Sequence, residues 1–386
     1  MQKLNDFFFL NKDITFLNFG SFGSCVKPVF EKYQQLQLEM EQEPVDFITN
    51  KGLQYLQQSR EALAAYLNCN ASDLVFVTNP SYAVNTVAKQ MVLKEGDEIL
   101  TTDIEYGACD KVWEFYCSKA GAKYVRQPVS FPIESKEQFV ENFFKGLTSK
   151  TKLVFLSHIT SSTALRLPVE EICKKAKQYG VLTFIDGAHA PAQVPVDLSN
   201  TDIDMYTGAC HKWMMTPKGS SFMYVKKALQ PLEPLVVSWG YNALFPSDSL
   251  FLDYHQMNGT RDYTAFLTLP TAIDFMKAHH WWQVASNCRT LVFANALEHC
   301  NLLGAQPLSP INEDFVAQMY SANIKTKEPE LLHKTLLEKY KIQVPVMRHG
   351  HQVFLRYSIN AFNTQQHLDI LFDAIRDIKK QGGLIE

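Results

Sequence analysis

The chain has 386 residues, 46% of them hydrophobic and 20% charged, and its 37 Lys and Arg against 40 Asp and Glu leave a net charge of −3. This length and apolar content predict a globular protein of two or three domains with a large core and exclude disorder as the default. A near-neutral balance without long single-sign runs offers no field for a polyanion or an anionic membrane, so neither nucleic acid nor membrane is an expected partner.

Eight cysteines (Cys25, Cys69, Cys109, Cys117, Cys173, Cys210, Cys288, Cys300) show no CxxC pair and no repeated metal-ligand spacing. They predict reduced thiols and a cytoplasmic protein. Phe7-Phe-Phe-Leu10 is too short for a signal-peptide core, and no apolar run approaches the roughly 18 residues that span a bilayer.

Residues 14–26 read as a short strand breaking into a loop punctuated by Gly20 and Gly23, with Pro28 opening a helix. Apolar residues at three- and four-residue spacing predict amphipathic helices over 28–40 and 53–67. Leu74-Val-Phe-Val77 is a buried strand, and Thr78-Asn-Pro-Ser81 leads into a helix with Ala83, Val84, Val87, Ala88 and Met91 on one side. Ser81 and the amides behind Pro80 would stand at the positive end of that helix, which suits a phosphate; the plainer alternative is that Ser81 or Asn79 caps it. Strands follow over 97–101 and 124–129, with Tyr106 past the first, placed to lie on a planar ligand or to close the core. Residues 132–146 form a polar, partly helical excursion.

The clearest unit is strand 152–157, a helix ending at Gly180, and strand 181–185, which implies a right-handed crossover and a parallel pair. Repeated, this order predicts an α/β protein with a doubly wound, mostly parallel sheet. A strand over 203–207 runs into His211-Lys212, and Phe222-Met-Tyr-Val225 is expected to return antiparallel or at the sheet edge. Residues 226–264 are loop-rich and aromatic, 267–300 are helical, and strands near 315–319 and 353–356 precede a last helix over 367–378. The expected division is an N-terminal segment 1–15, a large domain 16–264, connecting helices 265–300 and a smaller C-terminal α+β domain 301–386.

The chemistry is expected around Asp186 and Lys212, each at the carboxyl end of an apolar segment, where sheets of this class bind ligands. A structural ion pair would account for both. A buried lysine with a depressed pKa is also what a Schiff-base amine requires. Ser81, Tyr106 and His189 favour the second reading, because together these are the parts pyridoxal phosphate needs: helix-start amides and hydroxyls for its phosphate, a lysine for its aldehyde and a carboxylate for its ring nitrogen. A metal hydrolase built on Asp186, His189 and His211 is a weaker rival, since their spacing follows no common zinc pattern.

Asp186-Gly-Ala-His189, His211-Lys212, Gly259-Thr260 and Arg356-x-Ser358 resemble the class V aminotransferase family of fold type I pyridoxal-phosphate enzymes. The likeness runs from about Phe16 to the carboxyl end. Phe16-Leu-Asn-Phe-Gly-Ser-Phe-Gly23, Ser157-His-Ile-Thr-Ser161 and Cys210-His-Lys-Trp213 look most like its isopenicillin N epimerase-like branch, which also contains lyases.

The resemblance implies pyridoxal 5′-phosphate as cofactor. Lys212 would form the internal aldimine and act as the base at Cα, Asp186 would pair with the pyridine nitrogen, and His189 would bond the phenolic oxygen. Tyr106 would stack on the ring; Ser81, the Pro80 to Tyr82 backbone and His211 would hold the phosphate. Thr260 would reach the phosphate of a neighbouring subunit, which implies a homodimer with shared active sites. Arg356 would take the substrate carboxylate, a natural use of its planar fork, and the Asn18, Gly20 and Ser21 loop would line the substrate side.

The implied activity is epimerase-like removal of the Cα proton of an amino acid, with a C–S lyase or an aminotransferase as alternatives. A non-catalytic binding protein of the same fold is the alternative from another class, and the presence of both Lys212 and Asp186 speaks against it. Cysteine desulfurases of the family carry a cysteine on a loop before the arginine, and Val346-Met-Arg-His-Gly-His-Gln-Val353 has none, so desulfurase activity is not expected. His349, His351 and the run His279-His280-Trp281-Trp282 are read as surface and packing residues rather than metal ligands.

Overall fold

Seven short apolar runs join into one sheet in the computed structural model, which describes residues 4–385. After β1 (Thr15–Phe16) they are β2 (Leu74–Val77), β3 (Glu98–Thr102), β4 (Lys123–Gln127), β5 (Thr151–Ser157), β6 (Leu182–Asp186), β7 (Met205–Ala209) and β8 (Ser221–Val225). Their spatial order is β2-β8-β7-β6-β5-β3-β4. β4, β3, β5, β6 and β7 are parallel neighbours, whereas β8 runs antiparallel to both β7 and β2. This is the doubly wound α/β sheet the strand-helix-strand order predicts.

β8 returns antiparallel but lies inside the sheet, not at its edge, and all five of its residues are buried. A strand covered on both faces reads as a continuous apolar run rather than an alternating one, which is the pattern Phe222-Met-Tyr-Val225 shows.

Side chains alternate across each strand and serve two cores. On β5, Leu153 and Phe155 join the layer made with helices Pro80–Gln90 and Gly107–Ala120. Val154 and Leu156 face the larger core, which holds helices Gly52–Leu67 and Val169–Gln178. Chain order reverses between β3 and β5, and the ladder joining them covers only Glu98–Leu100 against Thr151–Val154. Beyond it the two strands part, opening the crevice at their carboxyl ends where ligands of such sheets bind.

The remaining strands are β9 (Met319–Asn323), β10 (Ile342–Gln343), β11 (Val346–His349) and β12 (Gln352–Ser358). β11, β12 and β9 form an antiparallel sheet, and β10 pairs in parallel with β1, so the N-terminal segment is stitched to the C-terminal part. The strand expected at 315–319 lies at 319–323. Phe315 and Val316 are buried instead against the large sheet's side, where the Arg166 amide donates to the Phe315 carbonyl at 2.8 Å and Val316 bridges Leu165. The helical stretch from 267 contains two long helices, Leu269–Ala278 and Trp281–Leu303, broken where His280 adopts φ 49°. Trp281 donates its indole N–H to the Ala192 carbonyl at 3.0 Å, so this aromatic run packs as expected.

Phe155 is fully buried, with Trp113 and Phe184 ring centroids 5.5 and 5.6 Å away. Phe155→Ala is therefore expected to cost about 3–5 kcal/mol, read as a lowered urea midpoint with an unchanged slope.

Candidate active site

The carboxyl edge of the sheet gathers most of the predicted residues. Ser21, Pro80, Ser81, Tyr106, Asp186, His189, His211 and Lys212 line one cavity of about 310 Å3. Asp186 is the last residue of β6, Tyr106 precedes the helix after β3, and Lys212 follows β7. β2 is antiparallel to β8 and so ends at the same edge as β7, which brings the start of helix Pro80–Gln90 alongside.

At that helix start Asn79 is the cap: its Oδ1 accepts the Tyr82 N–H at 2.9 Å. The Tyr82 amide is thus already engaged, while Ser81 stays on the cavity wall. Asn18, Gly20 and Arg356 sit behind Ser21. Thr260 lines a different, largely apolar cavity of about 720 Å3 together with Trp239 and Phe245, and does not reach Lys212 of its own chain's cavity.

Among the described residues, Asp186 and Lys212 do not form the ion pair that would have explained them away. The Asp186 carboxylate accepts the Ala188 N–H at 2.9 Å and, on its other oxygen, meets the Cys109 thiol at 3.5 Å. Burial raises its pKa, opposed by the Ala188 amide and the Lys212 charge. Lys212 Nζ lies 3.3 Å from His189 Nε2. Burial pulls the Lys212 amine down to about 8, with Asp186 pulling the other way.

His189 is held well below its ordinary range by burial and by the positive charges of Lys212 and Arg356, so its ring is neutral. The Trp213 indole N–H faces its Nδ1 at 3.4 Å. Nδ1 then accepts, and the ring proton sits on Nε2, toward Lys212, where it can donate to a neutral amine or to a ligand oxygen. His211 is neutral for the same reason, brought to about 4 by burial, and its Nδ1 donates to the Ser220 carbonyl at 2.8 Å.

Arg356 is 1% exposed and has no carboxylate partner among the described residues. Nη1 donates to the Ser161 carbonyl at 2.6 Å, Nη2 reaches Ser21 Oγ at 3.3 Å and Asn18 Oδ1 at 3.5 Å, and Nε has no partner. Burial brings it down to about 10. A dry guanidinium without a counter-charge is costly, and Ser21 and Ser161, which bond it, open on the cavity.

Several neighbours escaped the sequence reading of the site. Ser157 lines the cavity at the end of β5, a position the strand-end rule could have marked. Asn79 also lines it, while Cys109 and Trp213 touch Asp186 and His189; Phe22, within the Asn18 to Gly23 loop expected on the substrate side, lines the cavity too. Nothing in the spacing of those two points at their partners, since each contact spans the tertiary structure. His349 donates Nε2–H to the Asp103 carbonyl at 2.6 Å, in a hairpin contact.

The Aminotransferase class-V family profile matches residues 26–371. The chain belongs to this family. It is 33% identical over 387 residues, 96% of each chain, to an isopenicillin N epimerase of Amycolatopsis lactamdurans. It is 31% identical to a putative L-cysteine desulfhydrase 1 of Oryza sativa subsp. japonica over 278 residues, 67% of this chain and 56% of that one. Among solved structures, a cysteine desulfurase from Thermococcus onnurineus NA1 superposes with a TM-score of 0.84 at 20% identity, covering 99% of both chains. A C-DES mutant with glycine covalently linked to its PLP cofactor superposes with a TM-score of 0.80 at 20% identity, covering 95% and 97%. These neighbours share the fold type I architecture. With desulfhydrases and desulfurases both present, the comparisons do not support the expectation that desulfurase activity is absent; the hairpin before Arg356 simply carries no cysteine.

Pyridoxal 5′-phosphate is the cofactor of this class V family, and the residues present fit it. Lys212 offers a half-buried amine free of any carboxylate contact, Asp186 a dry carboxylate, and Ser81 a hydroxyl at a helix start, around a cavity within the roughly 300–1,000 Å3 of small-molecule sites. Uptake of pyridoxal 5′-phosphate by the apoprotein, trapped with borohydride, is expected to accelerate through about pH 8 as Lys212 loses its proton. Lys212→Ala should give no borohydride-stable adduct, and a rate that climbs only near pH 10.5 would show that the amine is not depressed.

Proposed function

We propose that the protein is an epimerase-like enzyme that uses pyridoxal 5′-phosphate to remove the Cα proton of an amino acid. The observation that carries this is one cavity with a depressed lysine amine at one side and, behind Ser21 and Ser161, a buried arginine lacking any carboxylate. An amino acid supplies the missing carboxylate, and Arg356 orients it bidentately. Bound pyridoxal 5′-phosphate supplies the electron sink for the charge left at Cα.

The chain's own groups divide the remaining work. Lys212 Nζ takes the Cα proton and returns one, a role its pKa near neutrality suits. His189, fixed by Trp213, would present Nε2–H to the cofactor's phenolic oxygen, and Asp186 would hold the ring nitrogen. Tyr106 would cover the ring, and Ser81, with the one amide of the Pro80 to Tyr82 backbone that Asn79 does not engage, would hold the phosphate; His211, neutral and with its Nδ1–H given to the Ser220 carbonyl, would stand beside it as an acceptor without a proton to offer. Asn18, Gly20 and Ser21 form the substrate wall. The domain division expected from sequence, with 16–264 as the cofactor domain and 301–386 as the smaller one, belongs to the same reading.

A cytoplasmic homodimer with shared active sites completes it. Thr260 lies outside its own chain's lysine cavity, and Trp239, Leu244 and Phe245 beside it are 72, 77 and 94% exposed, an apolar surface a second copy would cover. No described helix is long and apolar enough to cross a membrane.

C–S lysis is the second reading, favoured by the likeness to a desulfhydrase. In heavy water, L- and D-amino acids are expected to gain deuterium at Cα. Inversion without keto acid marks the epimerase, and keto acid with released sulfide marks the lyase. No exchange with any substrate would refute both. Arg356→Lys should raise KM by about 10-fold or more, through loss of a charged, bidentate contact.

A further inference from the structure

The β3–β5 ladder stops at Leu100 and Val154, yet β3 continues to Thr102 and β5 to Ser157. Across that gap reaches Glu105, from the turn after β3. Its Oε2 accepts the Ser157 N–H at 2.8 Å and the Ser157 hydroxyl at 2.5 Å, and its Oε1 meets the Thr102 hydroxyl at 2.7 Å. Ser157 is the register partner of Asp186, and the following amide, of His158, donates to the Asp186 carbonyl at 2.8 Å. Three strand ends are thereby linked in series: β3 through Glu105 to β5, and β5 through its ladder to β6.

Glu105 is 1% exposed and has no cationic partner among the described residues. Burial pushes its carboxyl up to about 8, against the pull of the Ser157 and Thr102 bonds, and the Asp186 charge adds to the rise. At neutral pH it is therefore mainly the uncharged acid. A buried carboxyl costs stability unless its hydrogen bonds are met, and here every one of them serves to tie a strand end.

We propose that Glu105 is a positioning residue for the cofactor ring site, replacing the missing β3–β5 ladder at the mouth of the crevice and fixing Asp186 through Ser157. Glu105 does not line the cavity; Ser157 does. The inference rests on the pyridoxal 5′-phosphate reading. It extends that reading to a residue that neither the motifs nor the cavity wall includes. Because the acid is largely neutral, glutamine keeps its size, its charge state and an acceptor for the Ser157 amide, whereas alanine removes the link.

The test compares Glu105→Gln, Glu105→Ala and Ile99→Ala, the last a buried β3 residue with apolar surroundings that controls for lost stability alone. Each apoprotein is titrated with pyridoxal 5′-phosphate, and the visible band of each holoprotein and the melting temperature of each apoprotein are recorded. Glu105→Gln is expected to bind within about 3-fold of the parent with an unmoved band, and Glu105→Ala to bind roughly 10- to 100-fold more weakly with a shifted band, the range seen when a partner behind a ligating group is lost. Ile99→Ala should melt lower with affinity and band unchanged.

Parent-like binding by Glu105→Ala, Ala-like behaviour of Glu105→Gln, or a band shift in Ile99→Ala equal to that of Glu105→Ala would each overturn the proposal. If Glu105→Ala does not fold, Thr102→Val removes the second anchor away from the cavity, and unchanged affinity there overturns it equally. A parent protein that takes up no cofactor would instead defeat the cofactor reading, and this inference with it.

Discussion

Keeping charged groups dry without letting them neutralise one another is the constraint on which this structure turns. Asp186 and Arg356 are buried and Lys212 is half-buried, and a contact of the carboxylate with either cation would satisfy both partners and close the site. They are kept apart because they come from separate elements: the end of β6, the segment after β7, and β12 of the C-terminal sheet. The cost of burial appears as Lys212 at about 8 and Arg356 at about 10, both lowered toward the form that needs no counter-ion. In the lysine that cost is useful, since a neutral amine is the reactive species.

The N-terminal loop spans the distance between the two cations. A Cβ on Gly20 would fall 2.5 Å from Met319 Sδ and 3.2 Å from Arg356 Nη2. At Gly23, with φ +63°, it would fall 2.7 Å from the Lys212 Cα. Backbone therefore lies directly against both residues, which only glycine permits. β1, just upstream, is held by β10, so the same loop joins the cofactor edge of the large sheet to the C-terminal sheet that carries Arg356. Ser21 of the same loop reaches the guanidinium, with its Oγ 3.3 Å from Nη2.

Under the proposed function, these groups are arranged for a step that epimerisation and C–S lysis would share. Both begin by removing the Cα proton, and they diverge in what happens to the charge left behind. Under the proposed function, the groups facing the substrate side chain would lie in the part of the cavity walled by Phe22 and Ser161.

The amino-acid sequence by itself determined the β5-helix-β6 unit and the doubly wound class of the large sheet, because there a strand, a periodic helix and a strand follow one another directly in the chain. It also marked Asp186, His189, Lys212, Ser81 and Tyr106, since strand ends and helix starts are local features that meet at one edge in any doubly wound sheet. The interior place of β8, the shift of β9 to 319–323 and the short strands β10 and β11 were decided by tertiary packing, where a few residues take whatever ladder or core the rest of the fold leaves open. The same holds for the contacts of Cys109, Trp213 and Glu105. Each joins residues far apart in the chain through side-chain bonds, and a spacing pattern carries no record of a bond that exists only once the strands have been laid side by side.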